Sequence, residues 1–156
     1  MNIKCKSQTE TEELGRLLAR CAAAGDVYCL SGDLGAGKTC LAKAIAEGLG
    51  VAPDKVTSPT FSIMNVYQGA MEIRHFDLYR LRSPEELEDI GFEEYVGADG
   101  LTLLEWGELF ADYLPDEYLH IEIEKIPEGR VITLTPCGKH YEELVKKVQE
   151  LVNAGN

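Results

Sequence analysis

The segment Gly32-Asp33-Leu34-Gly35-Ala36-Gly37-Lys38-Thr39 constrains this chain more than any other. Its spacing, G-x-x-x-x-G-K-T, serves one geometry. Glycines let successive backbone amides turn inward around phosphate oxygens with no Cβ in the way. A helix starting near Lys38 adds the positive end of its dipole. The Lys38 ammonium then reaches the β- and γ-phosphates, and the Thr39 hydroxyl is a magnesium ligand. The flanks agree with this reading. Residues 27–30 are an apolar run of strand length, and Leu41, Ile45 and Leu49 share one side of a following helix. A chance Lys-Thr after a glycine turn would not carry that context. The segment predicts a site for a nucleoside triphosphate with magnesium.

A strand, a phosphate loop and a helix need further parallel strands to lie against. Residues 101–104 supply an apolar run that ends in Glu105-Trp106. Residues 62–67 and 71–78 read as two strands joined at Gln68-Gly69-Ala70. Residues 118–124 and 131–135 alternate apolar and polar, as half-exposed strands do. Thr9-x-x-Glu12 resembles a capping box that opens a first helix, Ser83-Pro84 opens another, and residues 141–152 form an amphipathic last helix. The expected fold is an α/β P-loop NTPase: a mixed, mainly parallel central sheet with helices on both faces and antiparallel additions. At 156 residues the chain is expected to be a single domain.

Phosphate-loop proteins also need an acid on a neighbouring strand to hold or orient the metal. Two carboxylates qualify. Glu105 follows the buried run 101–104, and Asp77 ends His75-Phe76-Asp77. His75, Asp77 and Tyr79 share a face if their strand stays extended. His75 is read as a structural residue with no chemistry, and His120 and His140 lack metal-ligand spacing. Trp106, the one tryptophan, suits either core packing or a contact near the site. The Asn-Lys-x-Asp segment that reads guanine is absent, which favours ATP.

The net charge of −12 argues against non-specific nucleic-acid binding. Five scattered cysteines without C-x-x-C spacing read as reduced thiols. With no apolar leader and no membrane-length run, the expected location is the cytoplasm.

Several separated segments together resemble the TsaE (YjeE) family, the small ATPases of bacterial tRNA threonylcarbamoyl-adenosine modification. They are the loop 32–39, Thr57-Ser58-Pro59-Thr60-Phe61, His75-Phe76-Asp77-Leu78-Tyr79-Arg80-Leu81, Pro84-Glu85-Glu86-Leu87 and Glu105-Trp106. The resemblance implies an ATPase that supports the TsaB and TsaD proteins and reaches tRNA only through their complex. It implies that Lys38 and Thr39 bind phosphate and magnesium, that Glu105 is a metal ligand and that Asp77 is needed for hydrolysis. Asp33, Leu34, Gly35, Ala36 and Gly37 are expected to line the phosphates. Thr60 is the implied γ-phosphate sensor in a switch-like loop, and Trp106 is the family tryptophan beside the acid. Gln8 and Arg130 are placed near the nucleotide by position alone. Gly107 departs from the family, where proline is common after Glu-Trp.

Two other functions compete. A small-molecule kinase shares the loop and acid but adds an arginine-rich lid, for which Arg80 and Arg82 are too few. A nucleotide-controlled binding module would use the 57–61 loop as a switch, with hydrolysis incidental. Arg80 is the cis candidate for an arginine finger, although an ion-pair role suits it equally.

Overall fold

A computed structural model describes residues 1–33, 35–56 and 63–155, apart from the side chain of Arg80. Along the chain lie β1 (Asn2–Cys5), α1 (Gln8–Cys21), β2 (Val27–Ser31), α2 (Lys38–Gly48), β3 (Met64–Gln68) and β4 (Glu72–Asp77). They are followed by α3 (Glu85–Asp89), α4 (Phe92–Tyr95), β5 (Leu101–Glu105), β6 (Tyr118–Ile126), β7 (Gly129–Cys137) and α5 (Lys139–Ala154). Three 3-10 segments, Pro53–Lys55, Leu78–Arg80 and Gly107–Tyr113, sit between them.

The strands form one sheet in the order β1-β7-β6-β2-β5-β4-β3. Its centre is parallel: β2 pairs with β5 and with β6, and β5 pairs with β4. The β3–β4, β6–β7 and β1–β7 pairs at the two sides are antiparallel. This is the expected mixed α/β architecture. β2 and β5 are buried at every position, which is why they read as unbroken apolar runs.

Residues opposite one another on parallel strands point to the same face, so the register divides the core in two. Tyr28, Leu30, Leu103 and Ile121 pack with Leu18, Leu41, Ile45 and Leu144 under α1, α2 and α5. Val27, Cys29, Phe76 and Leu104 pack on the opposite face with Leu87, Phe92 and Phe110. α1 and α2 approach closely because small residues meet. A Cβ on Gly15 would lie 2.5 Å from the Ala44 Cβ, and one on Gly48 would lie 2.7 Å from the Ala19 Cβ.

Local expectations needed four corrections. The first helix is capped by Ser7, not Thr9: the Ser7 hydroxyl accepts the Glu10 amide at 3.2 Å, and Glu10 accepts the Lys6 amide. Gln8 therefore lies in the first helical turn. The chain at 83–86 opens a helix only five residues long, with Pro84 just before it rather than inside it. β4 does not stay extended to Tyr79. It ends at Asp77, whose carboxylate accepts the Tyr79 amide at 3.1 Å and starts a 3-10 turn that carries Tyr79 off the shared face. β1 and α4 were not anticipated.

Candidate nucleotide site

β2 ends at Ser31, where the glycine loop leaves the sheet and closes on α2. Gly32 has φ 147°, and a Cβ there would lie 2.4 Å from the Ile123 carbonyl, so only glycine lets the loop start this close to β6. Gly35 and Gly37 have φ of 80° and 114°, and a Cβ on Gly35 would meet no atom within 4 Å. The described loop glycines thus take left-handed positions, with free space beside Gly35, at the N-terminus of α2, a setting that suits an anion. Asp33, Gly35 and Thr39 are exposed there, and Ala36 is buried behind them. Leu34 lies outside the described residues.

Lys38 is 5% exposed. Its ammonium donates to the Gly32 carbonyl at 2.5 Å and sits 3.5 Å from the centre of the Trp106 ring. Burial pulls the ammonium below the ordinary lysine range, while the carboxylates of Glu105, Glu108, Asp77 and Asp33 pull it back. These acids belong to the loop, β4, β5 and the segment after β5, so the site collects negative charge around the buried Lys38 ammonium.

The strand register brings the two candidate acids together. Asp77 is opposite Glu105, and Glu105 is opposite Leu30, on three adjacent parallel strands. Glu105 is buried at 4% exposure, whereas Asp77 is half-buried. Glu105 has a buried partner that the sequence reading passed over. His75 Nε2 lies 2.5 Å from Glu105 Oε2, and both side chains are almost fully enclosed. A carboxylate accepts, so Nε2 carries the proton and fixes one carboxylate oxygen. The signal available in the sequence was the two-residue spacing of His75 and Asp77, which places both on one face. The neighbouring strand's register, which delivers Glu105 to that face, is not visible in sequence.

These donors suit magnesium. The cation takes hard oxygen ligands, needs one or two carboxylates, and draws its remaining ligands from water and phosphate. Glu105 and Asp77 are oxygen donors at the carboxyl ends of adjacent strands, and Thr39 is one in the first turn of α2. Among the described residues no three His, Cys, Asp or Glu side chains cluster as a protein-only metal cage.

Trp106 is the one described non-glycine residue with positive φ, at 64°. That backbone turn aims its ring between Lys38 and Tyr79, whose ring centre is 4.9 Å away. Gly107 opens the following 3-10 segment without needing a left-handed conformation; the unusual backbone falls on Trp106 instead. A cavity of about 620 Å³ lies beside Trp106, lined by Gly32, Asp33, Ala36, Glu108 and the end of β6.

Gln8 and Arg130, far apart in sequence, meet across the loop. They line a cavity of about 230 Å³ with Ala36, Gly37 and Cys40. Arg130 Nε donates to the Ala36 carbonyl at 2.6 Å and Nη1 to the Gly129 carbonyl at 3.0 Å, so its guanidinium supports the loop from outside. Thr60, with the whole 57–61 switch segment, and the Arg80 side chain lie outside the described residues.

A family model described as "Threonylcarbamoyl adenosine biosynthesis protein TsaE" matches residues 5–132. The chain is 42% identical over 149 residues to the tRNA threonylcarbamoyladenosine biosynthesis protein TsaE of Bacillus subtilis, covering 94% of this chain and 92% of that protein. It is 39% identical over 135 residues to the protein of the same name from Treponema pallidum, covering 86% of this chain and 99% of that one. Among solved structures, the crystal structure of Bacillus subtilis YdiB matches with a TM-score of 0.81 at 36% identity, covering 96% of this chain and 94% of that one. Among the described residues no helix is long and apolar enough to cross a membrane.

Proposed function

This chain belongs to the TsaE family of tRNA threonylcarbamoyladenosine biosynthesis proteins, and we propose that it serves there as a magnesium-dependent ATPase that supports a TsaB–TsaD complex in the cytoplasm. In this reading tRNA is reached only through the complex, and hydrolysis is slow until the partner docks. The observation that carries the reading is the register of three strands. Leu30, Glu105 and Asp77 lie side by side at the end of the sheet from which the loop runs to Lys38.

Each group then has a task. The loop amides and the N-terminus of α2 bind the phosphate oxygens, and Lys38 supplies positive charge where negative charge spreads in phosphoryl transfer. Thr39 and Glu105 would hold magnesium, which when bound would neutralise the negative charge that develops on the phosphates. His75 fixes the Glu105 carboxylate, as a partner behind a metal ligand does. Asp77 orients the attacking water in line with the bond that breaks. Gln8 and Arg130 border the base, Trp106 seats the Lys38 ammonium, and Thr60 senses the γ-phosphate.

Titration calorimetry with ATP and magnesium tests the assignment. Lys38→Ala is expected to weaken binding on the order of 100-fold, about 3 kcal/mol, the scale of losing one member of a desolvated charge pair. Unchanged affinity sinks the assignment. With ATP labelled at the γ-phosphate, the label is expected as free phosphate; label on a metabolite would make the chain a small-molecule kinase instead.

A further inference from the structure

Beside the nucleotide site the surface changes character. Tyr79, Leu109 and Tyr113 are 55%, 53% and 47% exposed, among the few large apolar side chains left in water. They lie on the 3-10 segments Leu78–Arg80 and Gly107–Tyr113, which pack against each other. Leu81, Pro84, Leu109, Phe110 and Tyr113 line a recess of about 630 Å³ there. Single exposed apolar residues are ordinary, but a group around a recess marks a contact surface.

The described rim is mainly acidic. Residues 83–124 hold fourteen of the chain's 27 acids and no lysine or arginine. Glu108 and Asp112 border the recess directly, with Arg82 the one cation on it among the described side chains. Such a surface repels a phosphate backbone, so RNA does not fit it. A second copy of this chain fits poorly as well, because a two-fold contact would set the acidic rim against itself.

The patch is also continuous with the phosphate-binding lysine. The Tyr79 ring stacks 4.9 Å from Trp106, and the Trp106 ring lies 3.5 Å from Lys38 Nζ. A group covering Tyr79 is thus one side chain removed from the ring that seats Lys38.

We propose that this patch docks a protein partner that inserts an apolar side chain into the recess and sets lysines or arginines against the acidic rim. Docking there bears on Lys38 through Tyr79 and Trp106. The proposal rests on the ATPase reading above and names the surface through which the partner acts.

The probe is the TsaB–TsaD complex from the same organism, and the readout is its affinity for the full chain. The Leu109→Ser/Tyr113→Ser double variant is expected to bind it about tenfold more weakly or worse, the effect of removing an interface anchor. Its affinity for a fluorescent ATP analogue is expected to stay at the wild-type value. Asp112→Lys is expected to weaken docking too, while Glu150→Lys, on α5, leaves it unchanged. Raising salt from about 50 to about 500 mM is expected to weaken the wild-type complex, since exposed charge pairs are screened. If the double variant loses the ATP analogue as well, it has not folded and Asp112→Lys decides alone. Wild-type docking with the double variant and Asp112→Lys both at full affinity overturns the surface and leaves the ATPase reading standing. Self-association of the wild-type chain that the double variant abolishes overturns the choice of occupant. No wild-type docking at all overturns the partner reading and the surface together.

Discussion

Helices of 14, 11 and 16 residues cover one face of the sheet, whereas the other is covered by helices of five and four residues and by 3-10 segments. The well-covered face holds the larger of the two cores and the polar ties of α5. There Tyr141 accepts the Val27 amide at 2.9 Å and His140 pairs with the buried Asp26 at 2.7 Å. The thinly covered face keeps Leu109 and Tyr113 exposed and carries the long acidic stretch. Lys38, Glu105 and His75, of the candidate site, lie where α2 meets the strand ends, on the side of the well-covered face. The difference separates the two faces: one is built rigidly beside the proposed nucleotide site, and the other leaves apolar side chains exposed.

The largest effect is expected from packing on the well-covered face. Gly15→Val forces branched carbon into the α1–α2 contact, where even one Cβ would lie 2.5 Å from Ala44. The expected loss is about 3 kcal/mol, measured as a lower urea midpoint. Leu109→Ser on the other face is expected to change stability by no more than about 0.5 kcal/mol. Equal losses would erase the distinction.

A smaller effect sharpens the link between face and site. His75→Ala leaves Glu105 enclosed without its partner. The magnesium concentration needed for ATP-analogue binding is then expected to rise about tenfold, as it does when the residue behind a metal ligand is removed. His75→Gln, which can still donate to Glu105, is expected to recover part of the loss. An unchanged magnesium requirement in His75→Ala would make the histidine purely structural.

The smallest effect concerns the thin-face core. Burial pushes the Cys29 thiol up to about 12 from an ordinary 9.0. The folded chain therefore keeps this proton where the unfolded chain loses it. Stability from Cys29 is complete below pH 9, falls as pH rises above it, and is gone once pH passes the folded value. Urea midpoints taken from pH 8 upward are expected to fall less steeply in Cys29→Ala; identical slopes would contradict the assignment.

The sequence was most informative where structure is local or fully buried. The 27–30 and 101–104 runs announced themselves because parallel central strands are apolar on both faces, and α2 and α5 by their helical period. The cap of α1 was misplaced because two overlapping boxes, Ser7 to Glu10 and Thr9 to Glu12, satisfy the same pattern; only the first has an amide to hold. β1 escaped notice because four residues carry little periodicity and its partner lies near residue 130. In the site, the loop and both strand-end acids were legible as chemistry. The His75–Glu105 contact was not, because it depends on which strands are neighbours and in what register. The left-handed turn at Trp106 was equally hidden, since nothing in Glu-Trp-Gly says that the tryptophan rather than the glycine takes the positive φ.

The central claim is that the loop, Glu105 and Asp77 form an ATPase site that a docked partner brings to full rate. Phosphate release from ATP by the purified chain, with and without TsaB and TsaD and with and without magnesium, tests it most directly. The account predicts slow, magnesium-dependent release that rises about tenfold or more when both proteins are added, and that Asp77→Asn abolishes while still binding ATP. Release that is already maximal in the chain alone, or that persists in Asp77→Asn, would contradict it.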